Sequence, residues 1–366
     1  MSQNPPDLAT AGSVPPDPDA PSPLARHGSG PGAPASSGGG PLARLVGSEV
    51  GRNAGLVIVL ALIFVVGVVT AGGQFASSDN VLTILRYAAG LGVVSIGMTF
   101  VIFTGGIDLS VGSVLGLASV WASTLATQTI AAGSHWVVMV FTALAVGTVA
   151  GLVTGALVAY GRVVAFIATL AMLVAARGLA EIIAQRRTQV VEVDPFLDAF
   201  RADVLGVPVL VWIFVVVAAA GWFLLNRTTF GRRTVAVGGN PEAARLAGIK
   251  VARHTMLLYA LSGLCAGIAG VIWLARTTAG SSTNGTLIEL DAIAAVVVGG
   301  TLLAGGRGTI MGTVLGVLIF AALTNVFIQN NLTISSQSIA KGAIIVLAVL
   351  LQQRLAARRA PGRRAA

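Results

Sequence analysis

The chain has 366 residues, 55% of them hydrophobic and 10% charged, and its mean hydropathy is +0.87. Soluble domains carry about 25% charged residues, so this composition excludes a soluble enzyme or binding module and points to an all-α polytopic membrane protein. The net charge of +9 would suit nucleic acid, but the basic residues sit in loops and tails beside apolar runs, as on the cytoplasmic side of a membrane protein; the expected partner is a lipid membrane, not nucleic acid.

Residues 1–50 are rich in Pro, Gly and Ser, as in PPDPDAPSP. Such a segment cannot bury a core and is expected to be a disordered cytoplasmic tail. No apolar stretch follows a basic one before residue 54, so no signal peptide is expected. Apolar runs then predict about ten transmembrane helices within 51–353, near 54–71, 81–104, 111–130, 136–159, 163–183, 208–225, 254–275, 291–304, 309–328 and 338–353. With the N-terminus inside, Arg26, Arg44, Arg52, Arg162, Arg307, the central loop and the basic tail 354–366 all fall on the cytoplasmic side. Outside lie only Arg186, Arg187, Arg201 and Arg276. This asymmetry predicts that both termini are cytoplasmic. Within spans lie Arg86, Arg177 and Lys341. Arg86 and Lys341 are placed to snorkel from the outer ends of their helices, and Glu181 is placed to pair with Arg177 one turn away. Asp108 and Glu181 are nearly the only acids expected at membrane depth.

The first predicted break is Gly105–Gly116, GGIDLSVGSVLG. Two hundred residues later Gly305–Gly316 reads GGRGTIMGTVLG, identical at six of twelve positions. Glycine-interrupted helices at corresponding places in two halves are the pattern of a transporter's solute path. Thr104, Asp108, Ser110 and Ser113 are the candidate path residues of the first copy. Asp108 or Ser110 reads equally as an N-cap for the following span.

Between the halves lies a basic cytoplasmic loop, 226–253, with Arg227, Arg232, Arg233, Arg245, Lys250 and Arg253. It contains a capped helix. Asn240 suits the N-cap, Pro241 the first helical position and Gly248 the position past the end. Ala243, Leu246 and Ala247 fall on one face, Glu242 and Arg245 on another. The helix reads either as a docking knob or as a turn that orders the loop. The chain has no GxxxxGK[ST], HExxH or GxSxG motif, so no ATPase, metal or catalytic site is expected in it. Cys265 is the sole cysteine and reads as a packed thiol.

Three stretches resemble the permease subunits of ribose-type ABC sugar importers, of the branched-chain amino acid/sugar permease superfamily. They are TGGIDLSVGSVLGLASV (Thr104–Val120), VGGNPEAARLAGIKV (Val237–Val251) and ELDAIAAVVVGGTLLAGGRGTIMGTVLGVL (Glu289–Leu318), and the likeness runs over about 54–353. The resemblance implies a bacterial cell-membrane permease that works as a pair with itself or a similar copy. It also implies a separate cytoplasmic ATPase that binds the ATP, and an extracytoplasmic solute-binding protein. The loop that contacts the ATPase carries over onto Gly239, Asn240, Glu242, Ala243, Ala244, Gly248 and Ile249, and Pro241, Arg245 and Leu246 complete the helix between them. The solute implied is a monosaccharide, a pentose such as ribose or xylose first. Alternatives are a nucleoside or a branched-chain amino acid on the same architecture, or a stand-alone secondary transporter, which the scarcity of membrane acids disfavours. A membrane enzyme would need a clustered catalytic set, and none is visible.

Overall fold

The structure, a computed structural model, describes residues 49–358; the remainder of both predicted tails lies outside the described residues. The fold is helical, as the composition requires. In chain order the helices are α1 (Glu49–Ala71), α2 (Ser78–Phe103), α3 (Val111–Ala122), α4 (Leu125–Gly133), α5 (Val137–Ala159), α6 (Ala165–Ala184), α7 (Asp194–Arg201), α8 (Val209–Arg227), α9 (Thr229–Gly239), α10 (Pro241–Leu246), α11 (Val251–Thr277), α12 (Ile288–Val298), α13 (Ile310–Gln329) and α14 (Ile334–Arg358). Among the described residues, four two-residue strands make two small antiparallel pairs. β1 (Gln189–Val190) joins β4 (Ala279–Gly280), and β2 (Asp203–Val204) joins β3 (Val207–Pro208).

Helix starts follow the local chemistry. Ser77, Thr124 and Thr309 each accept a hydrogen bond from a backbone N–H of the turn they cap, satisfying a donor that has no carbonyl partner. Among the described residues, seven helices are long and apolar enough to cross a membrane: α1, α2, α5, α6, α8, α11 and α13. Taken as one broken span, the pair α3–α4, bent by 54°, makes an eighth. The expected count of ten therefore divides differently. The predicted span 291–304 is the short helix α12, which stops at Val298 because Gly299 and Gly300 follow, the latter at φ 90°. The predicted span 338–353 falls in α14, whose apolar part is Ile334–Leu347.

The centre of the bundle is α11, 72% of whose apolar window is buried, with α2 and α13 at 67% each; α1 at 11% faces outward. The α5–α11 contact shows why the interior is rich in small residues. Gly147 and Gly151 lie directly on Gly263, and a Cβ on any of the three would overlap the backbone of the facing helix. Lipid does not drive helices together as water does, so this close packing is what holds the pair. Cys265 is buried in the same region against Gly97, a packed thiol as expected.

Of the three basic residues expected within spans, Lys341 and Arg177 depart from expectation and Arg86 does not. Arg86 reaches Asp203 of the loop beyond α7 at 4.0 Å, with both side chains nearly half exposed, a contact of small energetic weight. Lys341 does not snorkel. Its Nζ donates to Asp291 Oδ2 at 2.7 Å, with the two side chains only 16% and 14% exposed. Arg177 does not hydrogen-bond Glu181, which pairs instead with Arg186 at 3.5 Å; its guanidinium turns inward to the segment before α12. The stretch 184–207 contains β1, α7 and β2. Phe196 and Phe200 of α7 pack on Trp136, an apolar face that closes over the end of the bundle.

Candidate functional site

The two related glycine segments meet. After α2 ends, Thr104–Ser110 has no helix, and after α12 the same holds for Gly299–Thr309. The Gly306 N–H donates to the Phe103 carbonyl at 2.8 Å. The hydroxyls of Thr99 and Thr313 lie 2.8 Å apart in the buried interface between α2 and α13. Each break frees backbone groups that a continuous helix would use internally, and here part of that demand is met by the other break.

All four candidate path residues lie in or beside the first break. Thr104 caps the end of α2 and donates to the Val101 carbonyl at 2.9 Å. Asp108, 2% exposed, does not cap α3. Its Oδ1 accepts from the Ser110 N–H and Oγ at 3.0 and 2.6 Å, and its Oδ2 accepts from Ser262 Oγ on α11 at 2.9 Å. Ser110 occupies the N-cap position without making a side-chain cap. Ser113 donates to the Ser110 carbonyl at 2.8 Å. Asp108 thus ties the break to the central helix. Beside it the buried Tyr259 hydroxyl has no hydrogen-bond partner and faces Gly106.

The sequence reading missed the acids of α12. Glu289 is 8% exposed and Asp291 is bound to Lys341, so Asp108 and Glu181 are not nearly alone. Their signal was present, because both stand in the otherwise apolar run ELDAIAAVVV. Asn284, Ser262 and Tyr259 carried no such signal, since a single polar residue near or within a span has many innocuous readings.

The central loop is more helical than a loop of basic residues suggests. Thr228 caps α9, and α9 leads directly to Asn240. Asn240 Oδ1 accepts from the Ala243 N–H at 3.0 Å, and Pro241 begins α10. Gly248 has φ 84°, a conformation that a side chain opposes. Arg245 Nε donates to Glu242 Oε2 at 3.0 Å, both exposed. Ala244 and not Ala243 faces the chain's own core, while Leu246 is 79% exposed. In the last turn of α9, Gly238 is wedged into the junction of the two breaks. A Cβ there would overlap the Phe103 carbonyl and lie 2.8 Å from the Gly306 nitrogen. Gly239, the next residue, has open space around it, and Ile249 returns to the helix by donating to the Ala244 carbonyl at 3.0 Å.

A bundle of broken helices with polar groups at the breaks, and a capped helix carried beside them, defines a membrane transport subunit. Comparison with known proteins specifies it. A family model described as the branched-chain amino acid transport system/permease component matches residues 80–349, and the chain belongs to that family. It is 42% identical over 305 residues to the ribose import permease protein RbsC of Escherichia coli, covering 82% of this chain and 92% of that one. The ribose import permease protein RbsC of Bacillus subtilis is 40% identical over 313 residues, 84% and 94% of the two chains. The L-arabinose ABC transporter permease protein AraH of Azospirillum brasilense is 35% identical over 303 residues, 82% and 88%. No solved structure matches.

Proposed function

We propose that this chain is the membrane-spanning subunit of an ATP-driven importer in a bacterial cell membrane, and that it moves a monosaccharide, a pentose such as ribose or xylose first. A binding protein outside delivers the solute, a separate ATPase inside binds and hydrolyses ATP, and a second permease copy completes the path. The observation that carries the reading is the identity of about 40% along most of both chains with permeases named for ribose, joined by one named for arabinose. Both termini and the loop 226–253 are cytoplasmic in this reading, following the arginine distribution. Thr104, Asp108, Ser110 and Ser113 border the solute path.

The ATPase docks on Gly239–Ile249, with Leu246 as the apolar contact and the Glu242–Arg245 pair at its rim. A leucine that is 79% exposed contributes little to the fold of its own chain, so its replacement separates docking from folding. Leu246→Asp is expected to leave membrane insertion and thermal stability within about 0.5 kcal/mol while stimulated ATP hydrolysis falls to the unstimulated rate. Stimulated hydrolysis at the native rate would reject docking through this residue.

The function itself is tested in proteoliposomes containing the chain, its ATPase and its binding protein, with labelled D-ribose and D-xylose. ATP-dependent uptake of either sugar is expected. Uptake that needs no ATPase would identify a secondary transporter, and uptake confined to leucine or a nucleoside would move the solute class.

A further inference from the structure

We infer that Glu289 is a solute-binding residue that accepts a hydrogen bond from a sugar hydroxyl, at the inner end of a polar seam along α3. The inference rests on the importer reading above and names a site within it.

The seam lies between α3 and the segment Gly280–Glu289, which runs alongside it in the opposite direction. Ser123 Oγ donates to Gln189 Oε1 at 3.0 Å at one end. About one turn further in, Asn284 Nδ2 donates to Ser119 Oγ at 3.1 Å. Beside Gly116 the Arg177 guanidinium, reaching across from α6, donates to the main-chain carbonyls of Ser282 and Asn284. At Gly112 the facing group is the Glu289 carboxylate, whose Oε2 a Cβ on that glycine would overlap. From Ser123 to Gly112 is eleven residues along the chain, about 16 Å of helix. The seam thus runs from the β1–β4 strand pair to the first turn of α3, beside the break that holds Asp108.

Glu289 differs from every other member. It is 8% exposed, and its Oε2 is buried without a hydrogen-bond partner. An unsatisfied buried carboxylate oxygen is a costly feature that a fold retains where something else supplies the donor. Arg177 does not supply it: its Nη1 donates to the two carbonyls, and it makes no hydrogen bond to Oε2. Gly112 carries no side chain, and Oε2 lies directly against its backbone beside the Gly285 carbonyl, so a solute hydroxyl reaches Oε2 only when α3 and the segment before α12 separate. The seam combines one carboxylate with one guanidinium, so a neutral solute crosses it without adding net charge. A hydroxyl is a neutral donor that a carboxylate accepts strongly.

The test uses proteoliposomes of the three-component importer, with the binding protein saturated in turn by D-ribose and by each monodeoxyribose. With the native chain, one monodeoxyribose is expected to enter at least about tenfold more slowly than D-ribose, because a site built to bind a hydroxyl rejects the analogue lacking it. In Glu289→Gln, D-ribose uptake is expected to fall toward that slower rate while the discriminated analogue changes little, so their ratio collapses toward one. A uniform fall for every sugar would show a structural role and overturn the assignment, as would an unchanged ratio. Should the variant fail to assemble, the native chain decides: equal rates for D-ribose and every monodeoxyribose overturn the proposal. No ATP-dependent uptake of any monosaccharide by the native chain would instead refute the importer reading, and this site with it.

Discussion

Gly238→Ala is expected to disconnect the central loop from the two helix breaks, and Gly239→Ala, one residue away, is not. A methyl at Gly238 would overlap the Phe103 carbonyl and press on the Gly306 nitrogen, so the last turn of α9 or one of the breaks must move. Phe103 and Gly306 already hold each other by a 2.8 Å hydrogen bond, and neither partner is the flexible end of a side chain. Overpacking of this kind costs about 1–3 kcal/mol. A methyl at Gly239 meets nothing within 4 Å. The measurement is thermal unfolding of the two variants in detergent, followed by solute-stimulated ATP hydrolysis of the reconstituted importer. A lower midpoint and loss of stimulation for Gly238→Ala, against a native midpoint for Gly239→Ala, are expected. Equal behaviour of the pair would remove Gly238 as the link by which movement of α10 reaches both breaks.

The second large effect belongs to the Asp291–Lys341 pair. Both side chains are mostly buried and the contact is short, 2.7 Å, so each charge depends on the other for its tolerance inside the bundle. Asp291→Ala leaves the ammonium without its carboxylate and is expected to cost about 3–5 kcal/mol; the joint replacement Asp291→Leu with Lys341→Met should recover most of that loss. A double-mutant cycle in denaturant reads the coupling directly. Single and double variants that lose stability additively would show that the two residues act separately. Because the pair joins α12 to α14, the same variants should loosen α14 first, seen as earlier hydrogen exchange along Ile334–Leu347 than along α11.

Much of this molecule was legible before folding. The apolar runs located the long helices, because twenty residues of hydrocarbon-compatible sequence have few other fates. The capped helix was also legible: Asn240, Pro241 and Gly248 specify their backbone states through local chemistry alone, and the structure begins α10 at Pro241, as expected. Its buried face was less so, since which side of a two-turn helix meets the core depends on where α9 and α11 stand; Ala244 is buried and Ala243 is not. One expected span, 291–304, is a shorter helix for a physical reason. Glycine is nearly neutral in hydropathy, so a window averages straight through Gly299–Gly300, where the helix ends.

The pairings of charge were beyond sequence. Arg177 had Glu181 one helical turn away, yet it bonds carbonyls more than a hundred residues distant; Lys341 reaches Asp291 across fifty residues. The sequence by itself determined that this protein is a bundle of membrane helices, interrupted by glycine in two related places and carrying a capped helix between them. Hydrophobicity, capping and glycine's conformational freedom act over a few residues and can be read there. Only the tertiary structure decided that the two breaks touch, that Gly238 sits between them, and that Glu289 lies buried with an oxygen left over. Those facts depend on which helix faces are brought together, and close packing of distant backbones leaves no local mark on the chain.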